Sequence, residues 1–208
     1  MSAMKIYSSF RLALLITAGL LLSHPSVAQQ PTIMVFGDSL SAAYGISRNA
    51  GWVNLMQQSL QQSHPQYQIV NASISGETAS GGVRRLTKTV REHQPSIVIL
   101  ELGANDALRG RPVADIHADL SRLIQDIKKS GAQVILAGMQ LPPNYGDGYT
   151  KKFKAMYPSL AQKFKVTLVP FLLDGIAPEQ FQVDNLHPTA AAQAQILQNV
   201  LPHLQPLL

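Results

Sequence analysis

Short runs of apolar residues alternate along this chain with longer segments in which apolar residues recur every three to four positions. The short runs are rich in strand-forming residues and are bounded by polar turn residues, a pattern that indicates buried strands. They cover Thr32–Phe36, Tyr67–Ile74, Ser96–Leu102, Ala132–Met139 and Val166–Phe171. The periodic segments predict amphipathic helices. These helices cover Ala50–Gln62, Thr78–His93, Pro112–Lys129, Thr150–Phe164 and Thr189–Leu201.

The order of these elements predicts the class of fold. Strand and helix alternate about five times, and no break is long enough for a second domain. Such alternation is typical of a three-layer α/β domain, in which helices cover both faces of a parallel sheet. The flavodoxin-like strand order 2-1-3-4-5 is compatible with this pattern, although alternation by itself does not determine the order.

The N-terminal segment has the organisation of a signal peptide. Lys5 and Arg11 supply positive charge, and Leu12–Leu22 is apolar but short for a membrane span. In Ser26-Val27-Ala28, small residues occupy the two positions that signal peptidases read. We therefore expect cleavage after Ala28 and export to the periplasm, which leaves residues 29–208 as a single domain. An uncleaved membrane anchor is the alternative.

Composition narrows the classes of function. The formal charge of +5 falls to +3 when Lys5 and Arg11 leave with the signal peptide, and no basic stripe remains that would favour nucleic acid. The chain contains no Cys, which excludes disulfides, thiolate chemistry and zinc sites built on Cys. Its six His residues do not show the H-x-x-x-H spacing of a metal site, so we expect neither a metal nor a cofactor.

Four polar loops follow predicted strands and contain Ser39, Gly76, Asn105, and the pair Asp184 and His187. Because the carboxyl ends of parallel strands lie at one edge of a sheet, these loops are expected to lie close together. A serine hydroxyl becomes a nucleophile when a base removes its proton, so Ser39 and His187 are candidates for these two roles. Asp184, in the same loop as His187, is the candidate that orients the imidazole.

Attack of a serine on an acyl carbonyl places negative charge on oxygen, which requires preplaced hydrogen-bond donors. The backbone N–H groups of Ser39 and Gly76 and the side-chain amide of Asn105 are the candidates for this oxyanion hole. Each residue also has a simpler interpretation: Ser39 and Asn105 are common in turns, Asp184 is a turn residue, and His187 is a helix cap. The joint occurrence of all five after successive strands favours catalysis.

Three other residues near these loops are expected to have structural roles. Asp106 is expected to brace its loop, and Glu101 is expected to end a strand and to pair with Arg109 or Arg111. Met139 is expected to fill the core.

The motifs resemble the four sequence blocks of the SGNH (GDSL) hydrolases. They are Gly37–Ser41 (GDSLS), Gly76, Gly103–Asp106 (GAND) and Asp184–Pro188 (DNLHP). Glu101–Gly110 and Leu141–Gly146 are also similar to segments of a bacterial group described as multifunctional acyl-CoA thioesterase I, protease I and lysophospholipase. The resemblance covers essentially the whole chain after the signal peptide.

The resemblance implies a flavodoxin-like sheet, no metal, and a periplasmic esterase and thioesterase. We expect a monomer, because nothing in the sequence marks an exposed apolar interface. The resemblance implies a catalytic triad of Ser39, Asp184 and His187, and an oxyanion hole formed by Ser39, Gly76 and Asn105. It also implies an acyl pocket, formed by Leu108, Leu141, Pro142 and Tyr145. Its substrates would be small acyl esters or thioesters, with lysophospholipid among them.

Three alternatives stay open. The same triad could serve a short-chain arylesterase or a carbohydrate deacetylase, or the chain could bind lipids without turnover. A flavodoxin-like nucleotide-binding module is the most distant alternative, because the chain has neither a G-x-G-x-x-G motif nor a P-loop lysine.

Overall fold

A computed structural model describes residues 30–208, so the predicted signal peptide and its cleavage site lie outside the described residues. The strands are β1 (Thr32–Gly37), β2 (Gln68–Asn71), β3 (Ile97–Glu101), β4 (Gln133–Ala137) and β5 (Thr167–Val169). The helices are α1 (Trp52–Ser63), α2 (Ala79–His93), α3 (Ala104–Leu108), α4 (Val113–Lys129), α5 (Asp147–Phe164) and α6 (Gln193–Leu204). Between residues 30 and 208, none of the helices has both the length and the apolar character that a membrane span requires.

The five strands form one parallel sheet in the order β2-β1-β3-β4-β5, which confirms the predicted fold class and the flavodoxin-like order. Every residue of β1 and of β3 is buried, as the continuous apolar runs in their sequences require. The register places Gly37, the last residue of β1, beside Glu101, the last residue of β3. The loops that follow these central strands therefore leave the sheet side by side.

The helices cover the sheet with their apolar faces. In α4, five residues at helical spacing are buried, namely Ile116, Leu120, Leu123, Ile124 and Ile127. Contacts join α4 to α2 and α5 in one layer and α1 to α6 in the other. The result is the three-layer arrangement that positions the carboxyl edge of the sheet at the surface.

The structure differs from the predicted elements mainly in the loops. The polar segment after β3 begins a short helix, α3, because Gly103 adopts a left-handed conformation (φ 111°) that turns the chain sharply. The last helix was expected from Thr189, but Ala190–Ala192 form a 3-10 turn and α6 starts at Gln193. The edge strand β2 ends at Asn71, before the predicted limit at Ile74.

Candidate active site

The turn after β1 holds the candidate nucleophile. Gly37 is required there, because a Cβ atom at this position would lie 2.4 Å from Glu101 Oε2. The chain then enters a helical turn, in which Ala42 N donates to Asp38 O (2.9 Å) and Tyr44 N donates to Ser39 O (3.1 Å). This turn leaves the Ser39 side chain at the boundary between the core and the surface.

A continuous chain of hydrogen bonds joins Ser39 to two residues far away in sequence. The Nε2 atom of His187 lies 2.8 Å from Ser39 Oγ, and its Nδ1 atom lies 2.7 Å from Asp184 Oδ2. A carboxylate can only accept, so Nδ1 carries the proton and Nε2 is free to accept the proton of the serine hydroxyl. This geometry is the one that a serine, a base and its orienting acid require.

Local hydrogen bonds keep the Asp184 carboxyl ionised. Its Oδ1 atom accepts from the backbone N–H groups of Leu186 and His187, both at 3.0 Å. Partial burial raises the pKa of Asp184, but hydrogen bonds from the His187 backbone and ring and from Leu186 outweigh that effect and lower the pKa to about 2. The acid is therefore a carboxylate at any pH at which the enzyme would work.

The loop that carries His187 is held in place by its own backbone and by Gln182. Asn185 adopts a left-handed conformation (φ 55°), which Asn tolerates better than most residues and which makes the tight turn between acid and base. Gln182 N donates to His187 O (2.7 Å), and Gln182 Nε2 donates to Tyr44 O (2.9 Å). The Tyr44 ring also lies 4.5 Å from the His187 ring between centroids.

The three candidate oxyanion donors border one cavity. Ser39, Gly76 and Asn105 all contribute to its wall. Gly76 has a positive φ (77°), which explains the choice of glycine, and its carbonyl accepts from Arg109 Nη2 (3.1 Å). Asn105 Nδ2 donates one hydrogen to Asp38 Oδ2 (2.9 Å), which leaves its second hydrogen for another acceptor.

The cavity has a volume of about 270 Å³, and His187 also borders it. Its apolar wall is formed by Leu40, Leu108, Met139, Leu141, Pro142 and Leu173. Leu108, Leu141 and Pro142 thus lie where the sequence predicted. Tyr145 does not border the cavity. Its hydroxyl instead donates to the carbonyl of Leu108 (3.2 Å), so it supports the wall from behind.

Several residues of the site were missed by the sequence analysis. Met139, expected only in the core, also borders the cavity, as do Leu173 and the exposed side chains of Tyr44 and Leu186. Met139 and Leu173 follow β4 and β5, so their positions after strands could have indicated that they lie near the site. Tyr44 carried no such signal, because its contact with His187 joins two distant loops.

The expected pairing of Glu101 with an arginine is wrong. Glu101 is fully buried, whereas Arg111 forms ion pairs with Asp106 (2.9 Å) and Asp119 (2.6 Å). Asp106 also accepts from Ala79 N (2.7 Å) and so braces its loop against α2, as expected.

The sheet order and the Ser–His–Asp arrangement at its carboxyl edge define the class of serine hydrolases with the SGNH type of fold. Residues 35–195 match the GDSL-like Lipase/Acylhydrolase family, and the chain belongs to that family.

Named relatives support this assignment over most of the chain. The chain is 45% identical to Esterase TesA of Pseudomonas aeruginosa, over 90% of this chain and 94% of that protein. It is 40% identical to Thioesterase 1/protease 1/lysophospholipase L1 of Escherichia coli (strain K12), over 86% of each chain. The crystal structure of TesA superimposes with a TM-score of 0.83 at 45% identity and covers 85% of this chain and 99% of that chain.

Proposed function

We propose that this protein is a serine esterase and thioesterase that acts through an acyl-enzyme intermediate. The observation that carries the proposal is the chain of short hydrogen bonds from Asp184 through His187 to Ser39, whose last two residues border a largely apolar cavity. The relatives named above, an esterase and a thioesterase, support the same reaction class.

The geometry supports a two-stage reaction. His187 Nε2 takes the proton of Ser39 as Oγ attacks the acyl carbon, and a tetrahedral oxyanion forms. The intermediate then collapses, the imidazolium returns its proton to the leaving alcohol or thiol, and an ester with Ser39 remains. Water, deprotonated by the same imidazole, attacks this ester and releases the carboxylic acid together with the free serine.

Preplaced donors would stabilise the oxyanion in both stages. The backbone N–H groups of Ser39 and Gly76 and the second hydrogen of Asn105 Nδ2 are suited to this role because all three residues border the cavity that contains Ser39. The Asp184 carboxylate stabilises the imidazolium that each stage creates.

The apolar wall fits an acyl chain longer than acetyl. We expect kcat/KM for p-nitrophenyl esters to rise from two carbons up to a medium chain length. Each buried methylene contributes about 0.8 kcal/mol, so kcat/KM should rise by at most roughly fourfold for each methylene added. A rate series from two to sixteen carbons measures this rise.

A matched pair of leucines provides the control for the chain-length series. Leu141→Ala should flatten the rise, whereas Leu55→Ala, a change to a half-buried leucine on α1 outside the cavity, should leave it intact. A sharp maximum at acetyl would contradict the acyl-pocket assignment and favour a deacetylase or a short-chain arylesterase.

Export to the periplasm is part of the proposal. An exported enzyme is not expected to meet CoA thioesters, so lysophospholipid or another amphiphilic ester is the substrate class that the apolar cavity and this location favour together. We expect the intact mass of the exported protein to correspond to a chain that begins at Gln29. We also expect this chain to be a monomer. A retained Met1 would contradict the cleavage.

A further inference from the structure

Glu101 is a buried acid directly beneath the nucleophile turn, and the mechanism above does not use it. Its side chain has no exposed surface. The Oε2 atom accepts from Asp38 N (3.0 Å) and from Ser41 Oγ (2.8 Å). Within the part of the chain that the structure describes, no N–H or hydroxyl donor reaches the buried Oε1 atom. A buried carboxylate oxygen without a donor is costly, which points to a protonated Oε1.

Asp38 is the second member of a buried acid pair, since it is only 1% exposed. Its Oδ1 atom accepts from Leu40 N (3.1 Å), and its Oδ2 atom accepts from Asn105 Nδ2 (2.9 Å). Burial raises the pKa of Asp38 to about 6, but the N–H donors on both of its oxygens act in the opposite direction and favour its ionised form. Glu101, whose Oε1 atom accepts no hydrogen bond, is therefore protonated more easily than Asp38.

Electrostatics agree with this assignment. Burial, followed by the negative charge of Asp38, raises the pKa of Glu101 well above its ordinary value. Of the described groups, His187 also acts on the pair, because its positive form favours the Asp38 carboxylate. Burial, followed by the negative charges of Glu101 and Asp38, raises the pKa of the Tyr157 phenol well above its ordinary value. Asp106 acts on the same phenol. Two carboxyl groups in such a site hold one proton between them.

We propose that Glu101 and Asp38 are positioning residues that orient the Asn105 amide through one shared proton. The two carboxyl groups lie within hydrogen-bonding reach of each other, so neutral Glu101 donates its proton to the Asp38 carboxylate and leaves Asp38 as a pure acceptor. Because Asp38 accepts only from the amide NH₂ end, Asn105 is held with its nitrogen next to Asp38, so the second N–H is directed toward the cavity. This inference rests on the proposed role of Asn105 in the oxyanion hole.

Substitutions at Glu101 separate orientation from simple packing. Glu101→Gln keeps an N–H donor where the carboxyl proton lies, and we expect its kcat to stay within about threefold of wild type. Glu101→Met removes donor and acceptor at similar size, so kcat should fall by about 10-fold to 100-fold with little change in KM, less than the loss of a whole oxyanion donor. Ile99→Ala, two residues earlier in β3, should reduce stability without changing kcat.

Asp38→Asn is the second test of the same orientation. The amide offers a donor as well as an acceptor, so Asn105 loses the interaction that distinguishes its two ends. We expect kcat to fall on the order of 100-fold with little change in KM. Wild-type kcat in Asp38→Asn, or an equal loss of kcat in Glu101→Gln and Glu101→Met, would overturn the proposal.

Urea unfolding between pH 5 and 8 reports the proton directly. The unfolded chain releases the Glu101 proton above its ordinary pKa of 4.5, while the folded protein retains it. The unfolding equilibrium constant of wild type should therefore rise with pH more steeply than that of Glu101→Gln, by up to about tenfold per pH unit. If the unfolding constants of wild type and Glu101→Gln change equally with pH, the shared proton is excluded. This test does not require Glu101→Met to fold.

The two levels of the proposal fail differently. If the Ser39→Ala variant keeps its activity, the proposed function is wrong. If activity depends on Ser39 but Glu101→Met and Asp38→Asn both keep wild-type kcat, only the orientation of Asn105 by the acid pair is wrong.

Discussion

Replacement of Ser39 by alanine is expected to lower kcat for ester hydrolysis by about 10⁴-fold to 10⁶-fold, with KM little changed. The Oγ atom at 2.8 Å from His187 Nε2 is the only group that this change removes, so binding in the cavity should persist. His187→Ala should cause a loss of similar size, because the serine then lacks the base that activates it. Initial rates with p-nitrophenyl butyrate measure both losses.

Ser47→Ala is the matched control for Ser39. Ser47 is exposed and lies in the loop that follows the nucleophile turn, but it does not border the cavity. This variant should keep the wild-type kcat. Equal turnover in Ser39→Ala and wild type would mean that the site is misassigned, and binding without turnover in both would favour a lipid-binding protein.

The second large effect is expected at Asn105. Asn105→Ala should reduce kcat by about 10²-fold to 10³-fold, equivalent to about 2.7–4 kcal/mol of transition-state stabilisation. The free hydrogen of Nδ2 is the donor that is lost, while the triad hydrogen bonds stay intact. KM should change little, since the oxyanion forms only after binding.

Asn144→Ala controls for the removal of an amide. Asn144 is exposed in a 3-10 turn near the cavity wall and is not among the residues that border the cavity. We expect wild-type kinetics from this variant. An Asn105→Ala enzyme with full kcat would exclude Asn105 from the oxyanion hole and would leave the two backbone N–H groups as its donors.

The strands and helices could be predicted from the sequence because their burial is regular. The apolar runs of β1 and β3 and the helical spacing in α4 correspond to residues that are buried in the structure. The limits of the edge strands were less accurate. β2 and β5 have sheet neighbours on one side only, and their pairing, which local sequence does not determine, decides where they end.

The residues of the candidate site were predictable where they follow strands. Ser39, Gly76 and Asn105 each lie just after a strand of a parallel sheet, so the topology alone brings them to one edge. Tyr145 was assigned to the pocket by resemblance, yet its side chain supports Leu108 from outside the cavity. The direction of a side chain within a loop depends on hydrogen bonds that sequence position does not reveal.

Glu101 illustrates a deeper limit of prediction. A glutamate at the end of a strand normally reaches solvent or an arginine, and here it is enclosed because Gly37 leaves space for its carboxyl group. Only the three-dimensional register of β1 against β3 reveals this contact. The acid pair therefore could not be inferred before the strands were aligned.

Intact-mass analysis of the enzyme during turnover tests the central claim most directly. The protein would be mixed with excess p-nitrophenyl butyrate, quenched with acid within milliseconds to seconds, and digested to locate any added butyryl group. A single butyryl group on Ser39, absent from Ser39→Ala, is the predicted result. Rapid hydrolysis that still depends on Ser39, but with the butyryl group bound to another residue, would contradict the acyl-enzyme mechanism.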